Sequence, residues 1–217
     1  PRLPGRRYLL LIAPMALIIA VLLLLVDAAM ENLSAGRAYV GGEGLWSKAQ
    51  KDAVYHLLRY SRSGYESQFQ LYREAIAVPL GDRKAREALD RPEPDYEAAR
   101  QGFLEGRNHP EDVDAMARLF VRFRNVHYID KAIAIWAEGD RLIAQLEDVA
   151  ARLRGEIAAG RPDPSRIEAL REEIHRISLA LGPLEDAFSY TLGEATRWMR
   201  EVLFLAMIAA ALLLLAA

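Results

Sequence analysis

The sequence predicts an all-α protein: an antiparallel four-helix-bundle-like extracytoplasmic domain flanked by two transmembrane helices. Three observations predict it. The chain of 217 residues carries an uncharged apolar run near its start and another at its end. Between them, apolar residues recur at alternating spacings of three and four, the seam along which helices pack. No stretch shows the period-two alternation between turn signals that marks a strand.

The first element comes after a short basic flank, residues 1–7. Arg2, Arg6 and Arg7 precede 19 uncharged residues, Tyr8 to Val26. At ~1.5 Å of rise per residue this run covers about 28 Å, close to the hydrocarbon thickness of a bilayer. Pro14 falls inside it, where neighbouring groups in a bilayer can satisfy the carbonyl it frees. A cleaved secretory signal is the alternative reading, and it too exports residues 27–201. The last element, residues 202–217, is a second apolar run of 16 residues. A full span takes about 20, so it reads as a truncated transmembrane helix and the chain as cut from a longer protein. Basic flanks stay in the cytoplasm, which puts the N-terminus inside and residues 27–201 outside.

Charge narrows the partners. Without the three leading arginines, 25 basic residues face 30 acidic ones, a net charge of −5 for the exported part. Nucleic acid and anionic membrane surfaces are therefore not expected partners. The chain has no cysteine, which excludes disulfides, thiolate metal sites and cysteine catalysis.

Breakers divide the exported region. Gly41-Gly42 and Gly44 are expected to interrupt the helix leaving the membrane. Ser61 to Gly64 ends a helix, Pro79 to Gly81 bends the next, and Arg91 to Pro94 is a connection. Arg107-Asn108-His109-Pro110 is another, with Pro110 suited to the first turn of the helix after it. Gly160 to Ser165 joins two long helices. The last of these carries Ile167, Leu170, Ile174, Ile177, Leu181, Leu184, Phe188, Ala195, Trp198 and Val202 in a seam that runs into the second span, with Thr191 at the weak position. Gly182-Pro183 should kink or loosen it. The helix before the loop shows Ile129, Ile133, Trp136, Asp140, Ile143, Ala150, Leu153 and Ile157. A shorter seam holds Tyr39, Trp46, Ala49, Ala53, His56 and Tyr60. Residues 65–125 supply the remaining helix and short helical turns.

No enzymatic motif is present, so no catalytic residue and no cofactor are expected. His56, His109 and His127 lack metal-ligand spacing. Asp140 is anomalous, a carboxylate at a seam position. It faces a cation or hydrogen-bonding ligand, or pairs with an Arg or Lys, or the helix turns enough for it to reach water, which is the blander reading. Two clusters mix aromatic and cationic residues. One is Trp46, Lys48, Lys51, Tyr55, Arg59 and Tyr60; the other runs from Arg122 to Trp136. Such walls suit a small organic anion or amine, although a solvated face beside a packed core has the same composition. The candidate ligand-binding residues are Trp46, His56, Arg59, Arg83, Arg107, Trp136 and Asp140. Gly182, Pro183 and Trp198 are candidates for relaying a change along the last helix. The stretches containing Arg83 and Arg107 are expected to close the membrane-distal end of the bundle.

Four stretches resemble a known family. Arg37 to Val54, reading RAYVGGEGLWSKAQKDAV, resembles the start of an N-terminal extracytoplasmic sensor of bacterial membrane-bound signalling proteins. Val78 to Arg83 (VPLGDR), Gly102 to Pro110 (GFLEGRNHP) and Pro183 to Ser189 (PLEDAFS) are similar to later stretches of that sensor. The resemblance covers nearly the whole chain. It implies a periplasmic input domain in the bacterial inner membrane, typically followed by cytoplasmic PAS, GGDEF and EAL modules of cyclic di-GMP turnover, or by kinase modules. It implies no ligand and no binding residues. A homodimer is expected, with a small molecule or a periplasmic protein as stimulus. The alternative is a structural or dimerisation domain that binds no ligand.

Overall fold

A computed structural model describes the backbone of residues 5–216, with side chains over residues 12–213 except at position 14. The described residues form six α-helices and no strand: α1 (Gly5–Ser63), α2 (Glu66–Leu89), α3 (Tyr96–Glu105), α4 (Val113–Phe123), α5 (His127–Ala158) and α6 (Pro164–Ala216). Residues 1–4 of the expected cytoplasmic flank and Ala217 of the second expected span lie outside the described residues.

Local chemistry sets the ends. α1 stops where Gly64 takes φ 65°, and α5 where Gly160 takes φ 74°, conformations that cost glycine little. Pro164 opens α6, where its missing N–H is no loss. The Asp163 carboxylate caps that turn by accepting from the Ser165 N–H at 2.9 Å. Asp95 does the same for α3, accepting from Ala98 at 3.0 Å.

The helices pack in a consistent order. α1 lies along α2 and α6, α5 lies along α6, α3 sits on α2, and α4 sits on α1. The turns at Gly64 and Gly160 share one end of the molecule, tied by the Arg154–Glu66 ion pair at 2.6 Å. α4 lies at the other end, held to α1 by Arg118–Glu31 and by the Tyr39 hydroxyl donating to the Met116 carbonyl at 3.0 Å. There are two cores. The first, near the turns, is built from Leu57, Ile143, Leu146, Leu153, Ile174, Leu181 and their neighbours. The second is built from Ala35, Tyr39, Ala85, Phe103, Met116, Phe120, Leu192, Met199 and others.

Several expectations need correction. Gly41, Gly42 and Gly44 do not interrupt α1, which is continuous through them. Gly42 instead makes room: a Cβ there would stand 2.6 Å from Asn108 Oδ1. Pro110 is not in the first turn of α4, which begins three residues later at Val113. The prolines expected to bend their helices, Pro79 and Pro183, do lie inside them, and neither ends its helix. Val202 is not on the buried line of α6; it is 46% exposed, and the line passes through Ala195, Met199 and Ala210. A straight α-helix drifts off a strict seven-residue repeat, which moves the contact line over that length. The stretches containing Arg83 and Arg107 do not close the end that carries the Gly64 and Gly160 turns. They meet each other where α3 crosses α2, toward the α4 end.

Among the described residues one helix, α1 from Met15 onward, is long and apolar enough to cross a membrane. Its residues Ile12, Leu17, Leu23 and Leu24 are 61 to 69% exposed. The far end of α6 is similar, with Phe204, Leu205, Leu212 and Leu213 exposed.

Candidate functional site

Where the two cores meet, a cavity opens. It encloses about 540 Å³ of space, part of it open to solvent, and every helix contributes to its wall. α1 supplies Tyr39, Glu43 and Trp46, α5 supplies Trp136 and Gly139, and α6 supplies Leu184, Glu185 and Phe188. Asp82 of α2, Phe103 of α3, Met116 of α4 and, between those last two helices, Asn108 complete it.

Asp82 and Asn108 reach the wall because α2 and α3 cross very closely. Cβ atoms at Gly81 and Gly102 would stand 2.5 Å from the backbone nitrogens of Gly106 and Ala85. A Cβ on Gly106 would meet Asp82 Oδ1 at 2.1 Å. The glycines of the VPLGDR and GFLEGRNHP stretches thus fit into one another. α3 then ends in a Schellman turn, with Asn108 N–H donating to Phe103 O and Arg107 N–H to Leu104 O, both at 3.0 Å. The left-handed position of that turn is held by Arg107, φ 62°, and not by a glycine. Gly106 stands one residue earlier because the Asp82 carboxyl leaves no room for a side chain. The turn delivers Asn108, whose Nδ2 donates to Asp82 Oδ1 at 2.9 Å and to Phe103 O at 3.1 Å.

Three carboxyl groups line the cavity, each in a different electrostatic state. Asp82 is buried, and this burial raises its pKa well above the usual range. The Asn108 hydrogen bond pulls the other way, and Asp140 adds repulsion. The protonated acid is therefore favoured. Glu185 is ionically satisfied: it accepts from Ser47 at 2.8 Å, from Gln50, and from Lys51 at 2.8 Å. Glu43 is half-buried, and desolvation, followed by the charge of Glu185, raises its pKa. The rings around them stand at angles to one another. Tyr39 meets Phe103 at 82° and Trp136 at 76°, and Trp136 meets Phe188 at 64°.

Of the expected ligand-binding residues, Trp46 and Trp136 line the cavity. Asp140 lies just behind it, next to Gly139. It does not reach water: it is 3% exposed and accepts from Arg86 Nε at 2.6 Å. Burial pushes its carboxyl up to about 6, against the opposing pull of Arg86. The pairing alternative therefore holds, because the partner arrives from α2, far away in sequence. Arg83 pairs with Glu87 at 2.8 Å on the outer side of α2. His56 is engaged with Gln68 at 3.1 Å, near the Gly64 turn, and Arg59 donates to Tyr55 OH at 3.0 Å on the surface. Arg107 donates to the Glu74 carbonyl at 3.3 Å. The structure thus separates His56, Arg59 and Arg107 from the tryptophans. Gly182 and Pro183 directly precede the cavity residues Leu184 and Glu185. Trp198 is half-buried against Phe123 and Tyr128, both with ring centroids at 6.4 Å.

Asp82, Asn108, Glu43 and Glu185 were not among the expected site residues. Asp82 had a legible signal. It occupies the buried spacing Val78, Asp82, Ala85, Leu89, so a polar group falls on an apolar face, as at Asp140. Asn108 had none, since only the turn geometry carries it to Asp82. Among the described residues no group of three or more His, Asp or Glu side chains is disposed to hold a metal ion. No family model, no curated protein and no solved structure matches this chain.

Proposed function

We propose that this chain is the periplasmic sensory input domain of a bacterial inner-membrane signalling protein. In this reading residues 8–26 and 202–217 are transmembrane helices. Residues 27–201 form an antiparallel four-helix bundle of α1, α2, α5 and α6, with α3 and α4 added at the membrane-facing end. The working unit is a homodimer, and the output is a cytoplasmic module of cyclic di-GMP turnover.

One observation carries the proposal: the cavity is walled by α1 and α6, the two helices whose far ends expose apolar rows. An occupant of the cavity touches both membrane-going rods at once. On α6, Leu184 and Glu185 of the wall come directly after Gly182-Pro183. Pro183 has no N–H, so one rung of the helix ladder is missing. Gly182 has no Cβ to clash with the proline ring, and α6 stays continuous through the pair. The helix is therefore easiest to bend at the cavity wall. A ligand that fits one bend better than another shifts α6 by its difference in affinity for the two. The shift reaches Trp198, which bears on Phe123 and Tyr128, and then the apolar end.

The test uses the chain in non-ionic detergent. A thermal-shift screen against small metabolites should yield a ligand that adds about 2.7 kcal/mol at 100 times its dissociation constant. Saturation with that ligand should change amide exchange in α6 beyond Pro183. A ligand that protects only the cavity wall, with no change beyond Pro183, would remove the relay. No stabilisation across a broad library would favour a structural or dimerisation role.

A further inference from the structure

The cavity also points to the kind of ligand. Its wall carries three carboxyl groups, Glu43, Asp82 and Glu185, and no Lys, Arg or His. Two of the three are accounted for within the protein. Glu185 holds Lys51 together with Ser47 and Gln50. Asp82 is hydrogen-bonded by Asn108 and favours its neutral form. Glu43 is different. Among the described residues, the cation acting on it is Lys51, which Glu185 already binds, while Glu185 and Asp186 repel it. A half-buried carboxylate in that position costs free energy that an incoming positive charge would offset.

The remaining wall is aromatic: Tyr39, Trp46, Phe103, Trp136 and Phe188. Rings inclined at 64 to 82° to one another make an enclosure with walls in several directions, unlike a stack. Indole and phenyl rings present negative faces, and a cation held among several of them gains about 0.5–2 kcal/mol per good contact. An anion would meet three acids and no counter-charge.

We propose that this cavity binds a small organic cation, an amine or quaternary ammonium, with Glu43 as its counter-charge and the tryptophan-rich wall as its cage. The proposal rests on the sensory reading and names the ligand class for that same site.

The experiment is titration calorimetry on the chain in non-ionic detergent. The probes are choline, tetramethylammonium and phenethylammonium, with 3,3-dimethylbutan-1-ol as the uncharged isostere of choline, and benzoate and succinate as anions. At least one cation should bind, with choline at least ~10-fold tighter than its isostere, a difference of about 1.4 kcal/mol. Glu43→Gln should bring that ratio close to one, and Trp136→Leu should weaken the cations more than the isostere. Helical circular dichroism of each variant confirms folding, and the two variants test the charge and the cage separately. Equal binding of choline and its isostere, tighter binding of an anion, no binding of any cation, or an unchanged ratio in Glu43→Gln would each overturn the cation proposal. A neutral or anionic hit that still alters exchange beyond Pro183 would overturn this proposal and leave the sensory reading standing.

Discussion

Near the Gly64 and Gly160 turns, the long helices meet through aliphatic side chains: Leu57, Ile143, Leu146, Leu153, Ile174 and Leu181 are all essentially unexposed. Toward α4 they meet through alanines, aromatic rings and bare backbone, with Gly81, Gly102 and Gly106 fitted into one another. The first core is filled by side-chain volume. The second depends on volume left out, and it contains the buried polar pairs Asp82–Asn108 and Arg86–Asp140. The difference explains where the cavity lies. Large aliphatic residues close space between helices, whereas rigid rings and fixed polar pairs cannot rearrange to fill the gap at the junction.

That comparison makes opposite demands on the two regions. Removing volume should hurt the first core most. Leu146→Ala should cost about 4 kcal/mol in chemical denaturation, because a fully buried leucine leaves a cavity that long neighbouring helices cannot collapse. Adding volume should hurt the second. Gly81→Ala places a methyl 2.5 Å from the Gly106 nitrogen, and backbone cannot move aside as a side-chain tip can. A loss of about 3 kcal/mol is expected, at the upper end of the usual overpacking cost. A neutral Gly81→Ala, with choline affinity unchanged, would mean that the α2–α3 crossing is not the tight joint described.

The polar pairs of the second core should also give it a pH dependence that the first lacks. Asp82 and Asp140 both have folded pKa values above those of the unfolded chain. A raised carboxylate contributes stability that is complete below its unfolded pKa near 4 and is lost as pH rises through the folded value. For Asp140 that loss runs from about pH 4 to about 6 and is complete above it. For Asp82 the loss also begins near pH 4 and continues up to a folded value well above the usual range. Stability should therefore increase as pH falls from 7.5 toward 5. The slope should reach up to ~1.4 kcal/mol per pH unit for each proton taken up. Asp82→Asn imitates the protonated acid in shape, so it should fold well at pH 7.5 and show a flatter profile. An identical slope in Asp82→Asn would show that Asp82 is ionised in the folded chain.

Legibility in the sequence divides along the same line. The first core was readable because Ile143, Leu153, Ile174 and Leu181 repeat at helical spacing over many turns, and every repeat adds to the signal. The helix ends at Ser63 and Pro164 were readable from Gly64, Asp163 and Pro164, where local chemistry decides. Trp46 and Trp136 stand out in the sequence and line the cavity, and Asp140 stands out as a carboxylate on an apolar seam. The second core was obscured by short helices with too few turns to show a period. Its polar partners are also distant: Tyr39 bonds to Met116 and Arg86 to Asp140 across chain separations of 77 and 54 residues. Gly41, Gly42 and Gly44 look like breakers because spacing reveals a missing side chain but not the neighbour that requires its absence. Gly42 is the clearest case, since its empty position is occupied by Asn108.

Arg107 gives the smallest test and one of the sharpest, because its place in a connection suggests a ligand residue at a bundle end while the geometry makes it a turn residue. Its φ of 62° is a conformation that costs a side-chain-bearing residue about 1 kcal/mol or more. Glycine occupies it with little strain, although it has more unfolded-state freedom to lose. The guanidinium bond to the Glu74 carbonyl is exposed and contributes little against water. Arg107→Gly should therefore leave stability unchanged or raise it by up to ~1 kcal/mol. Because Arg107 lies outside the cavity wall, its replacement should not alter the choline-to-isostere ratio. A loss of cation discrimination in Arg107→Gly would extend the site around the end of α3. A clear loss of stability would mean that the arginine side chain, more than the backbone turn, holds Asn108 against Asp82.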